Sequence, residues 1–432
     1  MGGWLVGVRG AGTGASPERS TSVGAVDDPG RRFDVVLFGA TSFVGQITCS
    51  HLVERHGSEG PLRWAIAGRS AEKLERVAAQ TGAQVERLVV DADDESALRD
   101  MAENTRVVIS TVGPYALHGS TLVAAVSAAG TDYCDLTGEP QWMRAMIDAH
   151  HVDAEASGAR VVHSCGFDSI PSDLGVWFTQ QRAIEHLGEP CSRISMRVHA
   201  MKGGASGGTI ASMLNLVEEA SKDKELRRLL ADPYALNPVD LRRGPPQPDT
   251  TRPTRDRESG SWMAPFVMAS VNTRVVQRTH ALLGRPWGAE FRYDEAMAMG
   301  SGPFGAAKAT GLVAGLGAGM GAMALGPTRK LLKRALPKPG DGPDPEAQRA
   351  GFFDLRFRGT TPSGRTADTR VTGDRDPGYG ATSRMIGETA LALLELPREE
   401  RGGGFWTPAS ALGDRLIERM AAHAGMRFEW TD

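Results

Sequence analysis

Residues 32–45 read RFDVVLFGATSFVG, and this stretch decides the fold. Val35, Val36, Leu37 and Phe38 form a short continuous apolar run that stops at Gly39. The chain then passes directly into a turn and a helix-like segment, Phe43 to His56. An apolar strand, a glycine-bearing turn and a helix open a dinucleotide-binding unit. Gly39 permits the tight turn, and Gly45 lets the helix lie close to the strand. A pyrophosphate would rest on the N–H groups at the helix start, around Val44. The usual middle glycine of the motif is Ser42 here, whose hydroxyl is suited both to capping the helix and to reaching a phosphate.

The same pattern repeats downstream. Trp64–Ala67, Val85–Val90, Val107–Thr111, Thr131–Leu136 and Arg160–Ser164 read as five more strands, with helical segments between them. Strands alternating with helices imply a parallel sheet covered on both faces. The expected fold is therefore α/β, a doubly wound parallel (Rossmann) sheet, with a second α/β domain inserted after it.

Ligands bind outside the carboxyl ends of such strands, so the residues at those ends carry information. Strand two ends in Ala67-Gly68-Arg69-Ser70. An acidic residue here would select NAD, whereas Arg69 suits the 2′-phosphate of NADPH. Asp91, ending strand three, reads equally as an adenine-edge contact or as a helix N-cap. Thr111 and Gly113, ending strand four, form a turn beside the nicotinamide position or an ordinary βα turn. Asp168 follows strand six in a polar crossover, where substrate meets cofactor or where a helix is simply capped.

Composition narrows the classes. The chain has 432 residues with a net charge of −3, so nothing global points to nucleic acid. Its four cysteines, Cys49, Cys134, Cys165 and Cys191, are scattered and fit neither a disulfide framework nor a metal site. A reducing, cytoplasmic location is expected. Residues 1–30 are rich in Gly, Ser, Ala and Pro and read as a disordered lead-in.

Past residue 184 the character changes. Ile194–Ala200 alternates like a strand, Lys202–Gly208 is a glycine-rich loop before a helix over 209–220, and Trp262–Ala281 reads as helical. Residues 309–328 hold no charge, with Gly311, Gly315 and Gly319 at helical spacing, and the basic run Arg329–Arg334 follows. Strongly apolar residues are too few there for a membrane span. The segment 309–334 reads either as a small-residue helix packed in the domain, the simpler version, or as a peripheral contact with an anionic membrane. Phe353–Gly359 and Arg370–Gly373 read as a strand pair, Thr382–Leu394 as an amphipathic helix, Phe405–Pro408 as a break, and Leu412–Ala424 as a last helix. The expected division is an NAD(P)-binding domain over 31–175, an inserted substrate and dimerisation domain over 176–375, and C-terminal helices over 376–432 returning to the first domain. The inserted domain is where a homodimer contact is expected.

Several segments in order carry a family resemblance: GATSFVGQ, AGRS, VGPYALHG, DYCDLTGE, CGFDSIPSDLG, GDRDPGYGATSRM and GGFWTPA. Together they resemble the saccharopine dehydrogenase-like oxidoreductases, in particular their actinobacterial trans-acting enoyl reductase branch. The resemblance implies NADPH as cofactor, held by Gly39, Thr41, Ser42, Gly45 and Arg69. It implies reduction of a double bond in a polyketide or fatty acyl thioester, carried by a separate synthase, in lipid biosynthesis. It supplies no catalytic acid.

Enoyl reduction requires a hydride at the β carbon, a stabilised thioester oxygen and a proton at the α carbon. None of the five tyrosines has a lysine four residues later, which excludes the Tyr-x-x-x-Lys arrangement of short-chain reductases. Tyr115 and His118, just past strand four, are the first proton-donor candidates, and Asp168 is the next. Two other readings stay open: an amino-acid dehydrogenase like saccharopine dehydrogenase, and a nucleotide-binding or lipid-surface protein without catalysis.

Overall fold

The computed structural model describes residues 30–203, 212, 216, 219–220, 223–256, 259–324 and 342–431. The lead-in and most of the 202–220 loop and helix lie outside the described residues.

Two seven-stranded sheets organise the chain. Sheet A contains β1 (Phe33–Phe38), β2 (Trp64–Gly68), β3 (Glu86–Val89), β4 (Thr105–Ser110), β5 (Asp132–Asp135) and β6 (Arg160–Val162). All its pairings are parallel, in the order β6-β5-β4-β1-β2-β3, with a seventh strand outside β6. β1 is buried at every position, which is why it reads as an uninterrupted apolar run rather than an alternating one. The strand order reverses between β1 and β4, so the crevice that takes a dinucleotide opens at their carboxyl ends. The seventh strand, Gly404–Trp406, comes from the far end of the chain and pairs parallel with β6.

Helices α1 (Phe43–His56), α2 (Ala71–Thr81), α3 (Glu95–Glu103), α4 (Tyr115–His118), α5 (Ser120–Ala129) and α6 (Pro140–Ser157) connect the strands, and α7 (Ile170–Leu187) leads out of β6. α7 lies against the second sheet so closely that a Cβ on Gly175 would stand 2.2 Å from the Phe357 ring. Sheet B is mixed: Arg193–Lys202 pairs parallel with Arg292–Ala298 and antiparallel with Phe352–Thr360, and Met426–Trp430 closes one edge.

Three departures from the sequence expectations have local causes. Trp262–Ala281 is not one helix: Trp262–Pro265 is a strand of sheet B, and the helix begins only at Ala269, after Pro265 and a turn. Phe405 and Trp406, expected in a break, belong to the seventh strand of sheet A. The helix that carries the start of the charge-free run spans Gly302–Ala324 and is packed at Gly305 and Ala309 but not beyond: past Ala309 its described side chains are exposed or only half-buried. Residues 325–334 of the basic extension lie outside the described residues. Among the described residues, no helix is long and apolar enough to cross a membrane.

The far end of the chain binds back to the first sheet. Helix Thr382–Glu395 packs on α1, β4 and β5. Its fully buried Glu388 accepts from His51 Nε2 of α1 at 2.9 Å and from Arg419 of the last helix at 2.7 Å, with Arg55 at 3.4 Å. Against the pull of burial, the hydrogen bond from His51 and the charge of Arg419 hold its carboxyl down at about 2.

Candidate cofactor and substrate site

The turn after β1 is built around three contacts. Gly39 takes φ +87°, and a Cβ there would stand 2.6 Å from Val112 Cγ2. A Cβ on Gly45 would stand 2.3 Å from the Gly39 carbonyl oxygen, so α1 sits directly on the turn. Ser42 caps α1, accepting from the Gly45 N–H at 2.9 Å, and its hydroxyl also shares a hydrogen bond with Thr111 at 3.0 Å. Thr111 in turn donates to the Gly39 carbonyl at 2.9 Å. Ser42 therefore replaces the missing glycine with a side chain that locks β1, α1 and the β4 exit together. A helix start leaves its first N–H groups without intrahelical partners. With Gly45 taken by Ser42, Phe43 and Val44 present the groups left for a phosphate.

At the β2 exit, Thr41 lies 3.6 Å from where a Cβ on Gly68 would be. The next residue, Arg69, is exposed and makes no ion pair among the described residues, and Ser70 caps α2. A helix N-terminus, an unengaged guanidinium and no carboxylate ending β2 fit a phosphorylated dinucleotide. Arg69→Ala is expected to weaken NADPH binding about tenfold or more, by loss of one charge-assisted contact, while leaving NADH binding unchanged. Parallel fluorescence titrations of both cofactors check it, and equal losses for both would overturn the assignment. Asp91 is exposed and shapes its own turn by accepting from the Asp93 N–H at 3.1 Å. The N-cap of α3 is Asp94, not Asp91. Gly113 is exposed beside the Tyr115 ring.

The three proton-donor candidates have different surroundings. Tyr115 is buried, its hydroxyl donating to the Ser110 carbonyl at 2.9 Å and accepting from the Leu136 N–H at 3.1 Å. Burial, with Asp135 next in weight, raises its pKa well above the usual value. That phenol ties the ends of β4 and β5 together. His118, at the end of α4, is half-buried. Asp168 is half-buried in the loop between β6 and α7, and burial raises its carboxyl to about 6. Its Oδ2 lies 3.7 Å from where a Cβ on Gly138 would be, a point also bordered by Val271 and Met268 at 3.9 and 4.0 Å.

The loop 136–139 is what joins these groups. Gly138 faces Asp168, while Glu139 accepts from the N–H groups of Tyr115 and Ala116 at 2.9 and 3.0 Å and so fixes the start of α4. Ser212 donates to the same carboxylate at 2.7 Å. Below it, Asp135 Oδ2 meets His163 Nδ1 at 2.7 Å, and His163 Nε2 is buried with no hydrogen-bond partner among the described residues. Sequence reasoning missed Glu139, Asp135 and His163. Asp135 and Glu139 sit in DYCDLTGE at the β5 exit, where the rule that strand ends bear function would have found them. A cavity of about 520 Å³ opens beyond Gln141, lined by Leu226 and Leu229 but also by Glu219, Asp223 and Glu225. Those carboxylates make it a poor seat for a phosphate or an acyl chain.

Residues 35–162 match the family described as saccharopine dehydrogenase NADP binding domain, which makes the first domain NADP-binding. Over 406 residues the chain is 40% identical to a trans-acting enoyl reductase of Mycobacterium tuberculosis, covering 90% of this chain and 96% of that one. It is 38% identical over 406 residues to a trans-acting enoyl reductase of Mycobacterium leprae, with the same coverage. Apo saccharopine dehydrogenase of Saccharomyces cerevisiae shares the fold, with a TM-score of 0.52 over 93% of this chain and all of its own, at 14% identity. Identity of this extent along nearly the whole length places the chain in the trans-acting enoyl reductase family of saccharopine dehydrogenase-like, NADP-dependent oxidoreductases.

Proposed function

We propose that this protein reduces the carbon–carbon double bond of a polyketide or fatty acyl thioester presented on the carrier protein of a separate synthase, in lipid biosynthesis. The observation that carries this reading is the Asp168 carboxyl: raised to about 6 by burial, with Oδ2 3.7 Å from where a Cβ on Gly138 would be, the point that Val271 and Met268 also border. When bound, NADPH supplies the hydride for the β carbon. Phe43 and Val44 N–H groups and Arg69 hold the cofactor's phosphates. Asp168 delivers a proton to the α carbon. Its carboxyl is tuned by burial, so it is protonated in a far larger fraction of molecules near neutrality than an exposed aspartate. Tyr115 serves as a frame residue, because its O–H is already given to Ser110. His118 is the alternative donor.

An amino-acid dehydrogenase would need cations converging on two carboxylates. Three buried arginines are committed elsewhere. Arg278 donates to the Leu236 and Phe405 carbonyls, Arg274 to those of Ser270 and Leu230, and Arg144 pairs with Asp148. Burial lowers the Arg278 guanidinium to about 9. The enoyl reading is tested by following NADPH absorbance with enoyl thioesters of increasing chain length and, separately, with saccharopine and NADP. Oxidation of NADPH that depends on an enoyl thioester is expected. Turnover with the amino acid alone would overturn it.

A further inference from the structure

We infer that Asn272 is the positioning residue for Asp168, acting through Ser169; the inference rests on the reading of Asp168 as the proton donor. Ser169 stands at the N-cap of α7, where a serine hydroxyl ordinarily accepts from a backbone N–H of the first turn. Here it makes no such bond. Ser169 is fully buried, and its hydroxyl donates instead to Asn272 Oδ1 at 3.0 Å, across 103 residues of sequence. A serine that gives up its cap for so distant a partner holds its own segment to that partner. The segment is that of Asp168, the preceding residue.

Asn272 lies in the helix Ala269–Leu282 and is buried with each polar atom of its amide engaged. Its Nδ2 donates to Ser172 Oγ at 3.1 Å and to Glu295 Oε2 at 3.0 Å. Ser169 and Ser172 are three residues apart, so one amide grips one face of the start of α7. Glu295, on the strand Arg292–Ala298 of sheet B, is buried and accepts from the Tyr293 hydroxyl at 2.7 Å. Reversed, the Asn272 amide would set its oxygen against the Glu295 carboxylate, so the partners fix its direction. Sheet B thus backs Asn272, Asn272 holds Ser169, and Ser169 carries Asp168. The same helix start brings Met268 and Val271 to the point beside the Asp168 carboxyl. Reacting groups need such support, because roughly 1 Å of misplacement costs on the order of 10²-fold in rate.

The test uses the full chain. Ser169→Ala removes one hydroxyl and leaves Asn272 its bonds to Ser172 and Glu295; Asn272→Ala removes the tie and its backing together. Each is made alone and in the Asp168→Asn background, with an NADPH titration to confirm folding. If Asn272→Ala does not fold, Ser169→Ala decides alone. Made alone, each is expected to lower kcat for a trans-2-enoyl coenzyme A thioester by about tenfold to a hundredfold. In the Asp168→Asn background the further loss is expected to be under about twofold, since a positioning residue has nothing left to position. Difference infrared titration of the cofactor-free protein gives a second readout that needs no turnover. The carboxyl band abolished by Asp168→Asn is expected to titrate at about 6 in the wild type and lower in both variants, as water reaches a loosened loop. Asp173 and Glu295, each raised by burial to about 7, keep their bands in Asp168→Asn and are told apart by it. Equal kcat losses in both backgrounds would overturn the inference, and so would an Asp168 band that stays in place in both variants. Unaltered kcat in Asp168→Asn itself would sink the donor reading and the inference with it, a case recognised by a band that still moves.

Discussion

Replacing Asp168 by Asn is expected to lower kcat for enoyl thioester reduction by about 10²- to 10⁴-fold, the usual contribution of one positioned proton donor. The carboxyl and the amide have the same shape, so the loss reports the proton and not the packing. NADPH affinity should not change, because α1 and Arg69, not Asp168, are the groups proposed to hold the cofactor's phosphates. The pH profile separates this from a structural role. A donor whose carboxyl is raised to about 6 must be protonated to act, so wild-type kcat/KM should fall as pH rises through about 6. Asp168→Asn should lose that descending limb. A variant with unaltered kcat would move the proton to His118.

The second large effect is on stability. Glu388→Gln is expected to destabilise the fold by about 3–5 kcal/mol, the usual result of removing one partner of a buried ion pair. The carboxyl it replaces is fully buried between His51, Arg55 and Arg419, which belong to α1 and the last helix. The pH dependence has a defined sign. The folded carboxyl lies at about 2, below its ordinary 4.5, so the ion pair contributes fully above about 4.5 and fades as pH falls toward 2. Urea unfolding of wild type and variant should therefore differ most at neutral pH and converge in acid. A constant difference across that range would mean that packing, not charge, holds α1 to the C-terminal helices.

Features set by neighbouring residues were legible before the structure. The apolar run of β1, Gly39, Ser42 as a cap and the alternation through β6 are all local, and each lies within a few residues of its sequence signal. Strand bounds moved by one or two residues, as at β4, which begins at Thr105 rather than Val107. What was illegible depended on distant partners. Gly404–Trp406 is only three residues long and becomes a strand because β6 offers its edge. Met426–Trp430 likewise pairs with Thr366–Gly373, far back in the chain. In the site, Tyr115 looked available because a tyrosine after a strand end carries no mark of what its hydroxyl will meet; Ser110 and Leu136 are brought to it by the β4–β5 pairing. Glu139 acts on α4 across 24 residues of sequence, a contact that no motif spacing announces.

The position of Gly404–Trp406 beside β6 bears on how the protein is made. During synthesis, six strands of the first sheet emerge long before the seventh, and β6 waits as an open edge bearing Val161 and Val162. Closing that edge joins residues more than 240 positions apart, the kind of non-local step that slows folding. A stop codon or a cut before residue 404 would leave a chain with its dinucleotide turn intact and an unpaired apolar border, prone to pair with other copies. Completion of the first sheet is thus decided by residues 404–406.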